Sequence, residues 1–79
     1  MINLSSQIKQ KNQLDKMALL IREYRFAIGL TQKELGELSG LNRNTIVRIE
    51  NSQNISVQNL IKIADALQVD LNQLFAGMT

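Results

Sequence analysis

Four polar residues able to cap a helix, Thr31, Asn42, Ser56 and Asp70, each stand just ahead of a short apolar stripe. The side-chain oxygen of such a residue accepts from main-chain N–H groups that the first helical turn leaves unpartnered, so each is a start signal. Thr31 and Asp70 are followed three residues later by Glu34 and Gln73, which makes two capping boxes. The 79 residues contain no proline and few Val or Thr, and both facts favour helix between the signals.

The stripes have helical period. Met17, Ile21, Tyr24 and Ile28 recur at i, i+4, i+7 and i+11, with Leu20 beside them, and Gly29 supplies a stop. Leu35 and Leu38 are expected to face inward from the second helix, which Gly40 ends. Ile46 and Ile49 share a face of the third. Leu60, Ile63, Ala64 and Leu67 stripe the fourth, and Leu71, Leu74 and Phe75 a short fifth before Gly77. The expected fold is all-α, a compact five-helix bundle. Residues 1–13 are polar apart from Met1, Ile2, Leu4 and Ile8 and read as an N-terminal arm, partly helical at most, leaving 14–79 as the domain.

Hydrophobic residues make up 44% of the chain but only Tyr24, Phe26 and Phe75 are aromatic, so the core must be aliphatic. Without cysteine or histidine, neither a disulfide nor an ordinary zinc site is expected, and no cofactor. No glycine-rich phosphate loop and no paired carboxylates on a shared face point to an enzyme. The longest apolar run, Met17 to Ile21, is far too short for a bilayer, and the N-terminus lacks a signal-peptide stretch. A cytoplasmic protein with no membrane partner is therefore expected. The net charge of +2 is compatible with nucleic acid but is weak evidence alone.

The second and third helices carry the functional signal. Two helices joined by a few residues containing glycine have the geometry of a helix-turn-helix. A small residue at Gly36 lets the third helix cross the second closely, and Gly40 can take the left-handed turn. Ile46 and Ile49 anchor the third helix inward, which turns Arg43, Asn44, Val47 and Arg48 outward. Arginine can pair with guanine O6 and N7, asparagine with adenine N6 and N7, and Val47 can meet a thymine methyl. On an arbitrary helix such charges would be solvated surface; on this face they are expected to read base edges. Asn42 is read first as an N-cap. Lys9, Lys11 and Lys16 are solubilising charges or distal phosphate contacts.

The segment LTQKELGELSGLNRNTIVRIEN followed by NLIKIADALQVDLNQLF resembles the phage-repressor, Xre/Cro-like, helix-turn-helix family from about Ile21 to Phe75. The resemblance implies that Gln32 contacts the DNA backbone, with Asn42, Thr45 and Asn51 nearby. It also implies a partly buried ion pair between Arg25 and Glu50, and a two-fold dimer on a palindromic double-stranded operator. The expected dimer seam is the fifth helix, through Leu71, Phe75 and Met78. The family usually carries Ala at position 36, Gly at 52 and Pro at 55, where this chain has Gly36, Ser52 and Ile55. The function expected is a transcriptional regulator, a repressor or controller protein. The alternative is the antitoxin of a toxin–antitoxin pair, binding both DNA and a partner toxin.

Overall fold

The computed structural model describes the backbone of residues 4–76 and the side chains of 12–76. Five helices follow in order: α1 Leu4–Ala27, α2 Gln32–Ser39, α3 Arg43–Glu50, α4 Val57–Leu67 and α5 Leu71–Phe75. The described residues contain no strand. Helix α1 begins at Leu4, so residues 4–13, expected as an arm, are backbone continuous with the core helix. The reason is local: neither glycine nor proline occurs before Gly29 to interrupt it. Gly77 and Met78, expected at the last helix stop and in the dimer seam, lie outside the described residues, as do the side chains of Lys9 and Lys11.

The start signals act as expected. Thr31 Oγ1 accepts from the Glu34 N–H at 3.0 Å and Glu34 Oε1 accepts from the Thr31 N–H at 3.0 Å. The Thr31 main-chain N–H foremost, and the Thr31 hydroxyl after it, hold the Glu34 carboxyl below its ordinary value of 4.5. Their contribution is therefore complete above that pH and is lost as pH falls through the lowered value. Asn42 Oδ1 accepts from the Asn44 N–H at 2.7 Å, Ser56 Oγ from the Asn59 N–H at 3.1 Å, and Gln73 Oε1 from the Asp70 N–H at 2.7 Å.

One aliphatic core joins the helices. Met17 and Ile21 of α1, Leu35 of α2, Ile46 and Ile49 of α3, Leu60, Ile63, Ala64 and Leu67 of α4, and Leu74 of α5 are all buried. Two expected core residues are not. Ile28 is exposed because α1 ends at Ala27 and Gly29, at φ 75°, turns the chain so that Leu30 packs on the core instead. Leu38 is 62% exposed, and Ser39 is buried in its place. At about 100° per residue, the buried face of α2 runs through positions 35, 36 and 39, and Leu38 lies about 105° from its centre. The Ser39 hydroxyl is satisfied by donating to the Leu35 carbonyl at 2.7 Å.

Gly36 explains that rotation. A Cβ there would stand 2.8 Å from the Leu41 carbonyl oxygen and 3.4 Å from the Arg43 nitrogen, and the Leu41 N–H donates to the Gly36 carbonyl at 2.9 Å. The turn into α3 rests on the bare face of α2. Alanine would improve α2 by about 0.5–1 kcal/mol as a helix, yet a clash against backbone in a packed interior costs about 1–3 kcal/mol. Gly36→Ala should thus lose about 1 kcal/mol, lowering the melting temperature by about 4–8 °C in calorimetry. A higher melting temperature would show that the turn yields.

Candidate nucleic-acid interface

Helix α3 has two opposed faces. Taking Arg43 as zero, the positions 43, 44, 47 and 48 centre near 70°, whereas Ile46 and Ile49 centre near 270° at about 100° per residue. Both isoleucines are buried, while Arg43, Asn44 and Arg48 are exposed and Val47 is half-buried. The outer face thus presents two guanidinium groups, one amide and one small apolar side chain, and none of the four holds the core.

The flanking polar residues divide. Asn42 is exposed with its side chain committed to capping α3. Thr45 is half-buried, and Asn51 is exposed at the C-cap. Gln32, at the first position of α2, donates from Nε2 to Glu50 Oε1 at 3.2 Å. That bond uses one of the two amide N–H groups and fixes the plane of the amide. A groove of about 560 Å³ brings the starts of α2 and α3 together, with Thr31, Gln32, Lys33 and Arg43 on its walls. Phe26, 68% exposed, lines the same groove.

Behind α3 sits the ion pair expected from the sequence. Arg25 Nε donates to Glu50 Oε2 at 2.7 Å and Arg25 Nη2 to Glu50 Oε1 at 2.9 Å, a two-pronged contact. Arg25 Nη1 donates to the Leu30 carbonyl at 2.9 Å, and its guanidinium lies 4.4 Å from the centroid of the Phe26 ring. Glu50 is 2% exposed. Its carboxylate therefore ties α1, α2 and α3 through Arg25 and Gln32. Arg22, which the sequence reading passed over, donates from Nη1 to the main-chain carbonyl of Glu50. The signal was its i, i+3 spacing from Arg25, which sets both on one face of α1. Lys33, also passed over, neighbours Gln32 on the groove.

Residues 21–74 match the family described as helix-turn-helix. The chain belongs to that helix-turn-helix family. It is a family of DNA-binding regulators rather than of enzymes. The restriction-modification controller protein C.AhdI from Aeromonas hydrophila is 40% identical, with a TM-score of 0.76 over 78% of this chain and 96% of that one. The controller protein C.Esp1396I, solved bound to a 25 base pair operator site, is 33% identical, with a TM-score of 0.75 over 84% of this chain and 88% of that one. An uncharacterized HTH-type transcriptional regulator of Methanothermobacter thermautotrophicus is 49% identical over 37 residues, 47% of this chain and 54% of that protein. The chain thus spans about half the length of that curated relative. In this helix-turn-helix protein α2 and α3 are the two helices of the motif, and α3 is its second. Among the described residues no helix is long and apolar enough to cross a membrane, and no group of acidic side chains is placed to hold a metal ion.

Proposed function

We propose that this protein is a sequence-specific transcriptional regulator, a cytoplasmic repressor or controller protein that reads a palindromic operator as a homodimer. One observation carries the reading: α3 is pinned by buried Ile46, Ile49 and Glu50 while Arg43, Asn44, Val47 and Arg48 stand on its outer side. Arg43 and Arg48 suit guanine, Asn44 suits adenine, and Val47 a thymine methyl. Gln32, Asn42, Thr45 and Asn51 flank that face and are assigned to the DNA backbone. Residues 14–79 are assigned to the binding unit, and 4–13 extend α1. A restriction-modification controller fits better than an antitoxin, because solved controllers match nearly the whole domain.

One recognition helix reads too few base pairs to find a site alone, so two copies are required. The seam is assigned to α5, where Leu71 and Phe75 are only half-buried. Leu19 of α1, 48% exposed, lines a mostly apolar groove that reaches Ala76 just beyond α5 and widens the same surface.

The test is selection of binding sites from randomised duplex DNA. A palindrome is expected, with half-site centres about 34 Å apart and two chains per site in sedimentation. Affinity for that duplex should fall with salt at a log–log slope of about −0.9 for each phosphate neutralised. A flat salt dependence on every duplex would rule out DNA as the ligand, and a strict monomer on the selected duplex would rule out the dimer.

A further inference from the structure

The end of α3 leaves four carbonyls without partners inside the helix, those of Val47, Arg48, Ile49 and Glu50. The turn that follows reaches three of them. The Asn51 N–H donates to Val47 and Arg48 at 3.0 and 3.1 Å, the Ser52 N–H to Ile49 at 3.1 Å, and the Gln53 N–H to Arg48 at 3.1 Å. Ser52 takes the left-handed φ of 66° to make this turn. The Glu50 carbonyl is met instead by Arg22, from α1, 28 residues earlier. A cation is also favoured there, at the negative end of the helix.

Arg22 and Arg25 therefore grip the same residue in different ways. Arg25 holds the Glu50 carboxylate, which is joined to the helix through rotatable side-chain bonds. Arg22 holds the main chain itself, and so fixes where the helix axis ends. We infer that Arg22 is a positioning residue: it clamps the C-terminal end of α3 and so governs how the Arg48 end of the reading face meets DNA. This rests on the reading of α3 as the recognition helix. The effect is graded along α3, because each residue adds about 1.5 Å. Glu50 lies about 3 Å along the axis from Arg48 and about 10 Å from Arg43, whose end is held by the Asn42 cap and the turn packed on Gly36.

Two substitutions test it. Arg22→Met keeps the apolar stem and removes the donors; Arg22→Lys keeps the charge and an N–H donor group. Amide hydrogen exchange in the free protein is the first readout. Arg22→Met should exchange about tenfold faster at Asn51, Ser52 and Gln53, as expected for the loss of one charge-assisted hydrogen bond. Leu60 and Ile63 in α4 should be unchanged, and Arg22→Lys should be close to the wild type. The second readout uses the duplex recovered by selection. Arg22→Met should relax base preference by about tenfold at the pair that depends on Arg48 and by far less at the pair that depends on Arg43, with the salt slope unchanged.

Unchanged exchange at residues 51–53 overturns the clamp. Uniformly faster exchange, with uniform loss of affinity at every base pair, assigns Arg22 to general packing instead. A salt slope smaller by about one phosphate makes Arg22 a DNA ligand. Local acceleration in a protein whose wild type prefers no sequence retains the clamp and overturns the recognition reading.

Discussion

Arg25→Ala is expected to lower stability by about 3–5 kcal/mol, because it leaves Glu50 charged and buried without its cation. Glu50 is 2% exposed and the Arg25 side chain 8%, so solvent screens the carboxylate little in the intact pair. Gln32 would remain as a neutral donor to the same carboxylate, too weak to compensate. Small domains carry about 5–15 kcal/mol in all, so the variant should sit near its unfolding transition at room temperature. Urea unfolding gives the loss directly. Arg25→Met combined with Glu50→Leu strands no charge and should recover most of it, since apolar residues often replace a buried pair without net cost. If Arg25→Ala instead keeps its midpoint and loses operator affinity, the guanidinium serves DNA and not the fold.

Arg43→Ala and Arg48→Ala should behave in the opposite way. Each is expected to remove a base contact worth about 1–3 kcal/mol, a loss of roughly tenfold or more in operator affinity, and to relax specificity at one position per half-site. Both side chains are exposed and on the far side of α3 from Ile46 and Ile49, so stability should stay within about 0.5 kcal/mol of the wild type. Binding measured against a duplex set changed one base pair at a time separates this from backbone contact. Equal weakening on every duplex would move the arginine concerned from base edges to phosphate.

Most of the architecture was legible because capping is a local property. Thr31, Asn42, Ser56 and Asp70 each announce a helix through atoms within three residues of themselves, and the stripe of α4 needs only its own period. What failed was set by distant packing. Leu38 is as apolar as Leu35, and only the turn resting on Gly36 decides that Ser39 goes inside. Ile28 keeps the stripe's period but falls beyond the end of α1. The ion pair of Arg25 with Glu50 came from likeness to a family and not from spacing, since 25 residues separate them. Arg22 escaped notice because its partner is a main-chain carbonyl, and a carbonyl has no letter in a sequence.

The two-faced build of α3 also bears on how such a protein can change through descent. Its outward positions 43, 44, 47 and 48 carry no share of the core, so they can be exchanged for other side chains without refolding the domain. A lineage could therefore acquire a new operator by a few substitutions there, each judged by DNA alone. Asn42 has no such freedom, because its side chain starts the helix as well as standing beside the groove. On the proposed reading, change of target runs chiefly through these four positions on one surface, and the scaffold behind them can stay as it is.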